Sequence, residues 1–149
     1  MNDARSILLA EDNAHDVELT LAALEQHGFA RQAVVVNDGD TVLDYLARRG
    51  SHANRPAGLP CVVLLDVKMP RGGGLEILRA IKSDETLRMI PVVMLTSSRE
   101  EHDLRRSYEL GANGYLVKPA DFTQFSEALR HFGQFWCVTN EPPPGPAPR

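Results

Sequence analysis

Four apolar runs in this chain each end on a residue suited to phosphate chemistry. Ile7-Leu8-Leu9-Ala10 leads into Glu11-Asp12, and Val62-Val63-Leu64-Leu65 leads into Asp66. Val92-Val93-Met94-Leu95 leads into Thr96, and Tyr115-Leu116-Val117 leads into Lys118-Pro119. In an open parallel α/β sheet all strands point one way, and ligands bind beyond their carboxyl ends. Adjacent strands lie about 4.8 Å apart. If the four runs are neighbouring strands, three carboxylates, a hydroxyl and an ammonium converge on one sheet edge. Carboxylates at that spacing repel unless a cation sits among them or one is protonated. Mg²⁺ suits such a site, because it takes one or two carboxylates and fills its shell with water and phosphate oxygens.

Between these runs the chain alternates strand and helix patterns. The expected strands are Ser6–Ala10, Ala33–Val36, Cys61–Leu65, Ile90–Leu95 and Gly114–Val117. The expected helices are His15–Gln26, one capped by Asp40, Gly74–Lys82, Arg99–Leu110 and Asp121–Phe132. In the last, Phe122, Phe125, Leu129 and Phe132 share one stripe. Residues 50–60 read as a loop rich in Ser, Asn, Pro and Gly. Five βα units with right-handed crossovers put helices on both faces of one parallel sheet. Placing the strands that end in Glu11-Asp12, Asp66 and Thr96 at its centre gives a flavodoxin-like (βα)5 doubly wound sheet, order 2-1-3-4-5. Residues 1–137 form this domain, and the Pro-rich residues 138–149 are expected to be a disordered tail.

Composition narrows the function. A chain of 149 residues fits one domain, and a formal net charge of −4 argues against non-specific nucleic-acid binding. No apolar stretch approaches the roughly 20 residues of a membrane span, and the N-terminus lacks a signal-peptide pattern. Cys61 and Cys137 have no metal or redox spacing, and Cys61 reads as a buried small hydrophobe. No disulfide framework is implied, so a cytoplasmic location is expected. The five histidines show no ligand spacing either.

The same residues carry a resemblance. Leu9-Ala10-Glu11-Asp12-Asn13, Leu64-Leu65-Asp66-Val67-Lys68-Met69-Pro70 with Gly74 following, Leu95-Thr96-Ser97-Ser98 and Tyr115-Leu116-Val117-Lys118-Pro119 resemble the receiver domain of two-component response regulators. The match runs from Ser6 to about Phe132, in the family's order and spacing, and implies the same strand order. The resemblance makes Asp66 the phosphoacceptor for a histidine kinase's phosphohistidine. It assigns Mg²⁺ to Glu11, Asp12, Asp66 and the backbone carbonyl of Lys68. It sets Thr96 and Lys118 on the phosphoryl oxygens and makes Tyr115 an aromatic switch. It also implies a cis Lys118–Pro119 bond. Such a protein is a signalling phosphoacceptor that supports only its own phosphorylation and dephosphorylation. Its output is a changed face of helix 4, strand 5 and helix 5, offered to a partner or a second copy.

Some residues depart from the family pattern. Gly72-Gly73-Gly74 follows Pro70 where many members carry an aspartate, leaving a more flexible loop beside the site. Lys68 stands two residues after the acceptor, where smaller residues are common, and Ser97 stands where many members carry alanine. An aspartyl-phosphate phosphatase on a similar sheet is the alternative, but it needs a second aspartate at the position of Lys68. A receiver that binds partners without phosphorylation is a further alternative, opposed by the intact acidic set.

The loop at 50–60, Ser107-Tyr108-Glu109-Leu110-Gly111 and Phe135-Trp136 resemble stand-alone regulators of phytochrome-type histidine kinases. Phe135, Trp136 and Val138 follow helix 5 with no strand left to cover, so a homodimer with Phe135 and Trp136 in its interface is expected.

Overall fold

The computed structural model describes residues 5–70, 73–97 and 99–144. Its strands are β1 (Ile7–Ala10), β2 (Ala33–Val36), β3 (Val62–Leu65), β4 (Val92–Thr96) and β5 (Gly114–Val117). Its helices are α1 (Ala14–Gln26), α2 (Gly39–Ala47), α3 (Gly73–Ser83), α4 (Glu101–Glu109) and α5 (Phe122–Gly133). The five strands form one parallel sheet in the order β2-β1-β3-β4-β5. β1, β3 and β4 are buried along their whole length, in keeping with sequences that are apolar at every position but Thr96, the last of β4.

Alternate residues of each strand feed two separate cores, as the two-residue period requires. Leu8, Val63, Leu65 and Met94 pack with Val42 and Leu46 of α2 and with Ile77, Leu78 and Ile81 of α3. Ile7, Leu9, Val62, Leu64 and Leu95 pack with Ala23 and Leu24 of α1 and with Phe125, Leu129 and Phe132 of α5. The stripe read in the last helix is therefore the stripe it buries, with Phe122 partly covered at its start.

Three details differ from the sequence reading. Asp38, not Asp40, caps α2: its extended backbone leaves its carboxylate 2.8 Å from the Thr41 amide, while Asp40 already sits in the first turn. No peptide bond is cis among the described residues, so Lys118–Pro119 is trans, the form X–Pro bonds favour by about 0.5–1 kcal/mol. The backbone also stays helical after α5, where the sequence reading placed no element. Residues Gln134–Thr139 continue it as a π-helical turn that buries Cys137 and lays Trp136 against the second core. Phe29 packs directly onto Gly133 at that junction, in space that any side chain on Gly133 would fill. Residues 140–144 have no regular structure, and the end of the Pro-rich tail, 145–149, lies outside the described residues, as do Arg71, Gly72 and Ser98.

Candidate functional site at the carboxyl edge of the sheet

The register of the sheet builds the site. Ala10 pairs with Leu65, so β1 and β3 end together, while Leu65 pairs with Met94, so β4 runs two residues farther and ends on Thr96. The residues that follow β1 and β3 are Glu11-Asp12 and Asp66, so they and Thr96 share the carboxyl edge. The Asp66 amide donates to Ala10 O at 3.1 Å, and the Glu11 amide to Val36 O at 3.0 Å, so the sheet's bonding continues into both acidic residues. β5 ends beside β4, and the Lys118 amide donates to Thr96 O at 2.8 Å, which brings Lys118 to the same edge.

One carboxylate oxygen from each of Glu11, Asp12 and Asp66 lies within 4.8 Å of the others. Glu11 is 1% exposed, Asp66 is buried, and Asp12 faces solvent. The Lys118 ammonium sits among them. It donates to Glu11 Oε1 at 2.7 Å and to Asp16 Oδ2 at 3.1 Å, and lies 3.6 Å from Asp66 Oδ2. The other Asp66 oxygen accepts from the Lys68 amide at 3.1 Å, while the Lys68 side chain points into solvent.

Electrostatics follow from this crowding. Burial pushes the Glu11 carboxyl up to about 7; the adjacent Asp66 charge adds to the rise and Lys118 opposes it. Burial also works against the Lys118 charge, but its hydrogen bond to Glu11 and the Asp66 and Glu11 charges outweigh that and raise its pKa. One buried cation is thus shared among several carboxylates. The donor set is all oxygen, with one exposed carboxylate through which water has access. Glu11, Asp12 and Asp66 therefore fit a hard divalent cation.

Thr96 and Tyr115 lie one behind the other on a single sheet face. Met94 and Tyr115 both pack on the α2–α3 side, and Thr96, two residues beyond Met94, points the same way. Thr96 is buried and Tyr115 half-buried.

Asp16 was not singled out from the sequence. Its amide donates to the Asn13 side-chain oxygen at 2.9 Å, a helix cap that gives an acid in the first turn a sufficient reason to be there. Its second role, holding Lys118 from across the sheet edge, depends on a residue 102 positions away.

Phe135 and Trp136 divide. Phe135 is 47% exposed, whereas Trp136 packs on the core and meets the Phe135 ring edge-on at 4.9 Å between centroids. The expectation that both are uncovered holds for Phe135 alone, because the π-helical turn directs Trp136 inward.

Residues 7–130 match the family model described as the response regulator receiver domain. The chain belongs to this family. Among curated relatives, the probable methanogenesis regulatory protein FilR2 of Methanothrix harundinacea is 40% identical over 95% of this chain and 88% of its own length. Response regulator Rcp1 of Synechocystis is 33% identical over 93% of this chain and 92% of its own. Among solved structures, the bacteriophytochrome response regulator AtBRR is 57% identical with a TM-score of 0.75, covering 92% of this chain and 98% of that one. The phosphorylated cyanobacterial phytochrome response regulator RcpA is 38% identical with a TM-score of 0.85, covering 94% and 99%. The Mn(2+)-bound form of Rcp1 is 33% identical with a TM-score of 0.84, covering 94% and 99%. This receiver is a two-component response regulator, and its similarities run to regulators of phytochromes. No helix among its described residues is long and apolar enough to cross a membrane.

Proposed function

We propose that this receiver accepts a phosphoryl group on Asp66 from the phosphohistidine of a sensor histidine kinase, in a Mg²⁺-dependent reaction. The observation that carries the reading is the sheet edge where Glu11, Asp12 and Asp66 crowd together with Lys118 among them. The free oxygen of Asp66 attacks phosphorus, the P–N bond breaks, and the imidazole leaves. A carboxylate is a weak nucleophile, so position and charge neutralisation must supply the catalysis. The Lys68 amide fixes one Asp66 oxygen and leaves Oδ2 on the side of Lys118. Lys118 then follows the incoming charge from the carboxylates to the phosphoryl oxygens, and the buried Thr96 hydroxyl lies at the neighbouring strand end. Mg²⁺, held by Glu11, Asp12, Asp66 and the Lys68 carbonyl, would neutralise anionic donor and carboxylates together.

A phytochrome-type kinase is the partner that the likeness to AtBRR and RcpA favours. The readout surface is α4–β5–α5, where Leu104 and Tyr108 on α4 and Phe135 and Val138 after α5 are exposed. We place the protein in the cytoplasm, where such kinases present their phosphohistidine, and assign it no enzymatic activity on other molecules.

The test is intact-mass measurement after incubation with acetyl phosphate. One phosphoryl adduct should form with Mg²⁺, disappear with EDTA, and be absent from Asp66→Asn protein. An equal adduct on that variant would overturn the reading.

A further inference from the structure

The chemistry left unused by the acidic edge is a pair of thiols. Cys61 immediately precedes β3 and is fully buried; Cys137 lies within the Gln134–Thr139 turn and is 5% exposed. Their sulfurs are 3.9 Å apart although 76 positions separate them in the chain. The pair sits at the amino end of β3, the end opposite Asp66. Both sides of the contact are anchored. The Cys61 amide donates to Ser6 O at 2.8 Å, and Arg5 Nη1 donates to Asn140 O at 2.9 Å.

We propose that Cys61 and Cys137 are a dithiol–disulfide pair which, oxidised by a hydroperoxide, staples residues 134–139 to the base of β3. The S–S bond is about 2.05 Å long, so the sulfurs must approach by roughly 2 Å. A single π-helical turn is a local irregularity rather than a long regular helix, which makes it a suitable place for that adjustment. The thiols are not equivalent. The hydrogen bond from Cys137 lowers the Cys61 pKa against the opposing effect of burial, with help from the Arg5 charge, and Cys137 is raised correspondingly. With Cys61 as the first thiol oxidised, the step balances. The Cys61 thiolate attacks one peroxide oxygen, the O–O bond breaks, and the departing oxygen leaves with a proton as alcohol or water. Cys137 sulfur then attacks the Cys61 sulfenic acid; the S–O bond breaks, and the hydroxyl leaves with the Cys137 proton as water. Two thiols lose two electrons, and one hydroperoxide gains them. The link fixes the turn that carries Phe135, Trp136 and Val138 without touching the phosphorylation edge. It stands whether or not Asp66 is phosphorylated.

The experiment uses the full chain treated with hydrogen peroxide, then unfolded and alkylated. The monomer should lose two hydrogens, take up no alkylating agent, and recover both thiols after reduction. Cys61→Ala and Cys137→Ala should each form no internal link, the second serving if the first fails to fold. Hydrogen exchange of amides 134–140 should slow at least about tenfold on oxidation and recover on reduction. Two alkylatable thiols after peroxide, over-oxidation of one cysteine in place of a link, or a link that leaves this exchange unchanged would each overturn the proposal.

Discussion

Gly74 has no room for a side chain because the backbone of Asp66 occupies its place. A methyl group there would collide with the Asp66 carbonyl oxygen and lie 2.7 Å from Val67 Cα and 2.8 Å from Val67 O. The Gly74 amide also donates to Val67 O at 2.8 Å. The first turn of α3 is thus clamped onto the strand end that carries the phosphoacceptor.

Gly74→Ala should therefore cost roughly 3 kcal/mol of stability, at the upper end for overpacking, because the opposing atoms are backbone and cannot rotate away. Moving that backbone also moves Asp66, so the yield of phosphorylated protein should fall even at temperatures where the variant is folded. Urea unfolding and intact-mass phosphorylation measure the two effects separately. Wild-type stability in the variant would refute the clamp.

The second expectation concerns the Thr96–Tyr115 line. Their shared sheet face suits a switch in which Thr96 moves toward a phosphoryl group and Tyr115 follows inward. Shifting an equilibrium from 1:99 to 99:1 requires about 5.5 kcal/mol. Charge-assisted hydrogen bonds contribute roughly 1.5–3 kcal/mol each, so those from Thr96 and Lys118 would supply much of a full shift. Thr96→Ala should still be phosphorylated at Asp66 while losing most of the phosphorylation-dependent gain in affinity for its partner. Calorimetric titration of both forms decides this; an unchanged gain would exclude Thr96 from the coupling.

Much of this was legible because both signals are local. β2 and β5 run over the residues expected, and each acidic residue stands directly after a buried strand. What the sequence hid is set by distant pairs. The bond from Lys118 to Asp16 spans 102 positions, and the Cys61–Cys137 contact spans 76. Neither has a spacing that marks it. The inward turn of Trp136 had the same cause: apolar residues after a helix look unpartnered until the core they complete is seen. Gly133 carries no signal in the sequence for what it does, which is to leave room for the Phe29 ring.

A pH effect follows from Asp84, just beyond α3. Its carboxylate accepts from the Thr86 amide at 2.8 Å, the Thr86 hydroxyl at 2.7 Å and the Leu87 amide at 3.1 Å. The hydrogen bonds from Thr86 hold its pKa below the ordinary aspartate value. A lowered folded pKa means that the unfolded chain binds more protons in acid. The contribution is therefore complete above the unfolded value of about 3.9 and is lost as pH falls through the folded one. Asp84→Ala should cost about 0.5 kcal/mol near neutrality, solvent screening keeping an exposed carboxylate at the low end, and less in strong acid. Urea midpoints for both proteins across that range test the sign; a constant difference would rule out ionised Asp84 as its source.

The last expectation is a homodimer using the exposed residues around α4, β5 and the end of α5. Phe135 is 47% exposed, Val138 54% and Tyr108 52%, unusual values for large apolar side chains. Beside them, Tyr115, Leu116, His131, Phe132, Phe135 and Trp136 border a groove of about 300 Å³. A symmetric pairing would let Phe135 of each copy meet this surface on the other. Truncation at Gly133 would be a poor test, since it would also strip Trp136 and Cys137 from the core. Phe135→Ser combined with Val138→Ser should cost the fold about 1 kcal/mol at Phe135, where the edge-on contact with Trp136 is lost, and about 0.5 kcal/mol or less at exposed Val138. Light scattering should give a dimer for wild type and a monomer for the double variant, with Asp66 phosphorylation intact in both. A wild-type protein that stays monomeric at high concentration, bare and phosphorylated, would exclude the dimer.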